Sequence, residues 1–448
     1  MMTVAGRNPM TTAIPRAQRV LIIPYALMVA AWMFDFRGES ERQGLAIQII
    51  FLCCYVGFFA VFLWMNRARR VRIVGFLPLT LCTLVYLAVS VTSGLLRGQD
   101  FYPVSRHVLT ILVYLTATYA TARMVVISSV ASLRRILALL CLGFAVSTFF
   151  IVLFFQGGVD VSTIRYQIQG ASSIAALGLL VLVLIFSLSR VEIVAALSAA
   201  VIIFLTITRT FLVVIAAQGV VLLPAFRRFM RPRLAIVLAT GVLIAALLLV
   251  YGGESADRWV QRLYVREKFG GIDPTLLTRY VEWEYMFGEF VSSVDKFLFG
   301  SGLAAETAYW LPRSLGGTGG ISSSMGFGHS QHLSLLFTAG AIGGAPLLYV
   351  QFLQGWQGFR FLSRATRYSQ ANLDLVFLGA WGATIIIGTL ASNFLGSSFG
   401  SRGFSLWYGI GTGLLLGART WLMRVGTRTA RKAWRHDSAA GHKLERTT

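Results

Sequence analysis

The sequence predicts an all-α fold class, a polytopic helical membrane protein with about twelve transmembrane helices and one large periplasmic loop. Three observations predict it. Of the 448 residues, 56% are hydrophobic and 13% charged, and the mean hydropathy is +0.70. A soluble chain of this length could not bury so much apolar surface. The apolar residues come in blocks of roughly 17–23, the length of a bilayer-spanning helix. The basic residues then fall mostly on one side of the resulting topology.

In chain order the spans are read at 18–34, 44–65, 73–94, 104–121, 136–156, 171–188, 191–207, 210–226, 234–251, 329–352, 374–392 and 404–422. The stretch 191–226 is too long for one span at about 1.5 Å per residue, and it is read as two short helices broken at "TITRT", Thr206–Thr210. Residues 1–251 thus carry spans one to nine, 252–328 form the loop, 329–422 carry the last three spans, and 423–448 are a basic tail. "NRARRVR" (66–72), Arg134–Arg135, "RRFMRPR" (227–233), Arg360, Arg364, Arg367 and the tail from Arg419 share one side, which the positive-inside rule makes cytoplasmic. Both termini are expected on that side. No cleavable signal is evident, so the first apolar run reads as an anchor.

The formal net charge of +22 is read as topology signal and attraction to anionic membrane lipids, not as a nucleic-acid footprint. Cys53, Cys54, Cys82 and Cys141 all fall inside spans and read as small core residues, with neither disulfide nor zinc spacing. No Walker-type phosphate loop is present, so the chain encodes no nucleotide-driven motor.

The long loop at 252–328 carries structure of its own. "YGGESADRWVQRLYVREKFGG" has Trp259 and Leu263 at helical spacing. "DPTLLTRYVEWEYMFGEFV" has a helix start at Asp273–Pro274–Thr275. "FGSGL" (299–303) is a turn, and "LGGTGGISSSMGFG" (315–328) reads as flexible. Trp259, Trp283, Tyr285 and Trp310 suit an interfacial lid or a surface for sugar rings.

Two of the five histidines stand together at the end of this loop, in "FGHSQHLSLLFTAGAIGG" (327–344). On a continuous helix His329, Gly340 and Gly344 share roughly one face, which would seat the imidazole against a neighbouring helix through a small-residue seam. An isolated histidine here would ordinarily cap a helix at the interface. A metal site built on His329 and His332 lacks a third ligand. His332 reads as a polar packing residue.

The spacing His329–Ser330, nine residues, Gly340, two residues, Gly343 resembles the signature of the O-antigen ligase family. The layout is similar too: many spans, a large outer loop before the histidine, and the resemblance covers roughly residues 150–400. It implies a catalytic His329, with Gly340 and Gly343 as helix-packing residues. Arg209 in "TITRTFLV" matches the family's Ser/Thr–Arg–Thr stretch. Arg279 lies on a loop helix followed by a Gly-x-Gly-Leu turn, here Gly300–Ser301–Gly302–Leu303. Arg165 precedes Gly170, but Ala171–Ser172–Ser173 stands where the family has an Asn-Pro pair. Arg402 is an outer arginine with no motif behind it. The implied donor is an undecaprenyl-diphosphate-linked glycan and the implied acceptor a saccharide, with no cofactor and no metal. Guanidinium forks suit a departing diphosphate, and a histidine suits the acceptor hydroxyl proton. Glu254, Asp257, Glu282 and Glu284 are competing bases. Other polysaccharide assembly proteins are expected partners. The rival readings are a lipid-linked glycan transporter or flippase and a non-catalytic export partner.

Overall fold

The computed structural model describes residues 20–33, 45–68, 71–155, 171–206, 209–226, 274–310, 321–325, 328–365 and 373–444. Its helices are α1 (Ile22–Ala30), α2 (Leu45–Asn66), α3 (Phe76–Leu96), α4 (Phe101–Ile127), α5 (Val130–Phe155), α6 (Ser173–Leu182), α7 (Arg190–Thr206), α8 (Arg209–Phe226), α9 (Pro274–Val291), α10 (Val294–Phe299), α11 (Gln331–Ala365), α12 (Leu373–Ser392) and α13 (Arg402–Leu444). Strands β1 (Glu306–Trp310) and β2 (Ile321–Met325) pair antiparallel, Glu306 opposite Met325 and Trp310 opposite Ile321.

Among the described residues, six helices are long and apolar enough to cross a membrane: α2, α3, α4, α5, α11 and α12. Shorter apolar stretches lie in α6 and α8. The architecture is that of a helical, membrane-embedded protein. Within "TITRT", where a break is expected, α7 is described to Thr206 and α8 from Arg209, and residues 207–208 lie outside the described residues. The expected span at 234–251 and the amphipathic stretch around Trp259 lie outside the described residues.

The bundle centres on α4, α12 and α13. Trp381, Trp407, Tyr408 and Tyr114 are all but fully buried there, and the Tyr114 and Tyr408 rings lie 4.8 Å apart. Gly409, Gly413 and Gly417 recur every fourth residue along α13. A Cβ at Gly413 would stand 2.6 Å from the Thr118 carbonyl oxygen, and one at Gly417 would stand 2.8 Å from that of Ala122. Without side chains on this stripe the two helix backbones close to van der Waals contact, the main attraction open to helices in lipid.

The outer face carries Ile49, Val56, Trp64, Leu77 and Leu81 exposed on α2 and α3, as a surface facing hydrocarbon requires. Cys53 and Cys54 sit on that exposed face, not in the core as expected from their apolar context. Periodicity alone misplaces them because α2 is apolar all round. All four cysteines are free.

At one end of the bundle Arg134 ties three elements together. Its Nε and Nη2 donate to the two Glu192 oxygens at 2.5 and 2.8 Å, and its Nη1 donates to Asp374 Oδ1 at 2.9 Å. Its guanidinium lies 3.8 Å from the Phe377 ring centre. Glu192 also accepts the Ser189 backbone N–H at 2.7 Å, the reciprocal half of a Ser-x-x-Glu cap at the start of α7. The buried carboxylate is therefore fully paired, as burial of a charge demands.

The other end holds α9, α10 and the β1–β2 pair. Here α9 packs on α11 and β1, and α10 packs on α3 and α11. The stretch expected to be flexible contains β2. Its sequence Ile-Ser-Ser-Ser-Met offers no apolar alternation, and its order comes from pairing with Glu306–Trp310.

Candidate functional site

The site is built where α11 begins. His329 lies just before the helix, and its imidazole is 47% exposed. Its Nδ1 is 2.8 Å from Glu282 Oε2, and its backbone N–H donates to the same oxygen at 2.9 Å. Glu282, on α9, is 0% exposed. Thr307 on β1 donates to the other Glu282 oxygen at 3.4 Å. A carboxylate only accepts, so Nδ1 is the donor in this contact, and in the neutral imidazole Nε2 is then the nitrogen with the free lone pair. The pairing fixes ring orientation and tautomer together, as a carboxylate does for a histidine general base.

The approach of α9 to this turn depends on Gly328. A Cβ there would stand 2.8 Å from Glu282 Oε1 and 3.1 Å from the Met286 methyl. The Gly328 N–H donates to Ser334 Oγ at 3.1 Å. Gln331 anchors the first helical residue to the loop after α12. Its N–H donates to the Asn393 and Gly396 carbonyls at 2.9 and 3.0 Å, and its Oε1 accepts from Ser398 Oγ at 2.7 Å and from the Phe399 N–H at 2.9 Å.

His332 occupies a different environment. It is buried, its Nε2 donates to the Leu390 carbonyl at 3.1 Å, and its ring lies 5.0 and 4.6 Å from those of Phe352 and Phe394.

The single helical face expected for His329, Gly340 and Gly344 does not exist. Gly340 has φ 61° and ψ −164°, a non-helical conformation in the middle of α11. The helix is therefore two legs, 331–339 and 341–365. A Cβ on Gly344 would strike the Leu335 carbonyl, whereas a straight helix would hold residues nine apart about 13 Å from each other. The short leg folds back on the long one. The backbone φ of Gly340 belongs to a region that only glycine enters without strain, and the chain that reaches it is the Leu298–Phe299 backbone at the end of α10. Gly343 does seat a neighbouring helix: a Cβ there would come within 3.1 Å of Val89 Cβ on α3.

The Gly300–Leu303 turn fills the elbow. Gly300 and Gly302 have φ of 75° and 94°. The N–H groups of Ser301 and Gly302 donate to the Phe337 and Thr338 carbonyls at 2.7 and 3.0 Å, and that of Leu303 donates to the Ser90 carbonyl of α3 at 2.8 Å.

Of the other expected site residues, Arg279 lies half-buried on α9, three residues before Glu282 and so on the same side of that helix. Arg209 opens α8, half-buried, and α8 packs against α11 and α12. Arg165, Glu254 and Asp257 lie outside the described residues. Glu284 is exposed. Arg402 opens α13, buried, with its guanidinium 5.2 Å from the Trp32 ring centre. Among the described residues no three His, Cys, Asp or Glu side chains gather as metal ligands. The Glu282–His329 pair spans 47 positions, and the sequence signals it only by offering Glu282 among several loop carboxylates.

No protein-family model matches the chain, and no curated protein matches it in sequence.

Proposed function

We propose that this protein is a glycan ligase or polymerase of the bacterial inner membrane. It transfers a saccharide from an undecaprenyl-diphosphate carrier to a saccharide acceptor, in lipopolysaccharide, O-antigen or exopolysaccharide assembly. The observation that carries this reading is the Glu282–His329 pair at the position where the sequence resembles the O-antigen ligase signature. Twelve spans, a periplasmic 252–328 segment and a periplasmic active face belong to the same proposal.

In this reading Nε2 of His329 takes the proton of the acceptor hydroxyl as its oxygen attacks the sugar carbon bound to diphosphate. The carbon–oxygen bond to phosphate breaks, and the lipid diphosphate leaves with its bonding pair. Glu282 stabilises the imidazolium that forms. Arg279, Arg209 and Arg165 bind the departing diphosphate, whose growing charge suits fixed guanidinium groups. The activated donor supplies the free energy.

The test is transfer in vitro with lipid-linked donor and saccharide acceptor. His329→Ala is expected to lose about 10²–10⁴-fold in rate, the range of a general base. Glu282→Gln is expected to fall between that variant and the parent, and Arg279→Lys to rescue Arg279→Ala poorly because an ammonium lacks the planar fork. Transfer by His329→Ala at the parent rate would remove the imidazole from the chemistry. Reporter fusions after Ser324 should read periplasm and after Arg231 cytoplasm; the reverse at both would overturn the placement of the site.

A further inference from the structure

A cleft of about 490 Å³, open to solvent, lies between the α3–α4 turn, α9, α10, the start of β1 and the short leg of α11, and reaches α9 at Tyr285, three residues on from Glu282. Its lining is mixed in a specific way. Asp100, Glu289 and Glu306 bring carboxylates, and Arg97 and Lys296 bring cations. The cations are already engaged: Arg97 pairs with Asp295 at 2.8 Å, and Lys296 with Glu289. Tyr285 offers a part-exposed ring, backed by Phe337 at 6.4 Å between ring centres.

Ser301 adds an independent sign of a ligand. It lines the cleft, its residue is 8% exposed, and its hydroxyl has no hydrogen-bond partner among the described residues. Buried hydroxyls are almost always satisfied, because an unmet one carries its full desolvation cost. The turn that holds it is clamped by three backbone hydrogen bonds to α11 and α3, which fix the position of the Ser301 backbone at the cleft.

The chemistry selects among ligands. Acids outnumber bases on the lining, which disfavours a phosphate or diphosphate head. The apolar area of one tyrosine ring is too small for a hydrocarbon chain. Many hydroxyls presented around a ring with an apolar face meet both requirements: carboxylates accept them, Arg97 and Lys296 donate to their oxygens, and the Tyr285 ring takes the apolar face.

We infer that this cleft is a carbohydrate subsite, and, resting on the reading above, that it holds the acceptor saccharide. Glu282, Tyr285 and Glu289 stand at i, i+3 and i+7 on α9, on one side of the helix, with a rise of roughly 10 Å from first to last. A glycan lying along that side has one end at the cleft floor and the other beside His329.

The experiment uses full-length protein in lipid nanodiscs. The probe is a set of oligosaccharides released from the source cell's own surface polysaccharide and labelled with a fluorophore, read by anisotropy. The parent should bind. Tyr285→Ala and Glu306→Gln should each weaken binding at least about tenfold, a change well resolved by titration. Tyr285→Phe keeps the ring and should stay within about threefold of the parent, which separates loss of stacking from loss of fold. His329→Ala should bind as the parent does while failing to transfer. If the parent does not bind, or if Tyr285→Ala and Glu306→Gln both bind like the parent, the subsite is wrong. If both variants lose binding while His329→Ala still transfers, the subsite stands and the catalytic reading falls.

Discussion

Along the seam of α4 and α13, Gly409, Gly413 and Gly417 keep helical backbone and serve only by lacking a side chain. At the elbow of α11, Gly300, Gly302 and Gly340 all have positive φ and serve by going where other residues cannot. Both regions bring backbones into contact. The seam does so by smoothness and keeps its helix unbroken. The elbow does so by breaking a helix and inserting a turn into the gap. A region built the first way only packs, whereas one built the second way redirects the chain and leaves backbone groups for a loop to satisfy.

The largest effect should come from Gly340→Ala. It combines backbone strain of about 1–3 kcal/mol with overpacking of about 1–3 kcal/mol against the end of α10. A loss of about 3 kcal/mol or more in detergent-solubilised unfolding, with loss of transfer, is expected. Gly413→Ala carries only the overpacking cost, about 1–3 kcal/mol, and should leave transfer measurable. Equal destabilisation and equal activity in the two variants would erase the distinction between seam and elbow.

A finer test lies in the first turn of α11. His332→Ala removes a hydrogen bond to the Leu390 carbonyl and a ring packed between Phe352 and Phe394. It should cost about 2–4 kcal/mol of stability while the protein that remains folded transfers at close to the parent rate. A dead but stable His332→Ala would move the chemistry one turn into the helix.

The smallest effect concerns Asp295. The Ser293 hydroxyl and then the Arg97 guanidinium hold its carboxyl below the usual carboxylate range. A carboxyl lowered in the folded state stabilises above its unfolded pKa of about 3.9 and loses that contribution as pH falls through the folded value. Asp295→Asn should therefore lower stability slightly at neutrality and flatten the stability–pH curve below about pH 4, where the parent loses the same contribution. Because the group is well exposed, the change should shrink further in high salt.

The sequence announces what depends on local composition. The apolar runs of α3, α4 and α12 are readable from neighbours in the chain. What escapes is set by distant partners. "TAGAIGG" has the look of a small-residue packing face, and nothing local says that Gly340 turns the chain back; the reason is the α10 terminus, some forty positions earlier. Ser322, Ser323 and Ser324 are strand only because Tyr309, Ala308 and Thr307 lie opposite. Glu282 is one acid among several until α9 docks on the Gly328 turn.

The elbow at Gly340 has a consequence for exchange with water. Breaking α11 strips the Phe337 and Thr338 carbonyls of the amide partners a continuous helix would give them, and the N–H groups of Ser301 and Gly302 replace those partners. A splint of two loop amides thus completes a transmembrane ladder. Those two amides belong to the ladder's stability, not to the loop's. In deuterated buffer they should exchange as slowly as the helix around them, while the amide of Ser292, whose nearest acceptor is the Glu289 carbonyl at 3.3 Å, exchanges early.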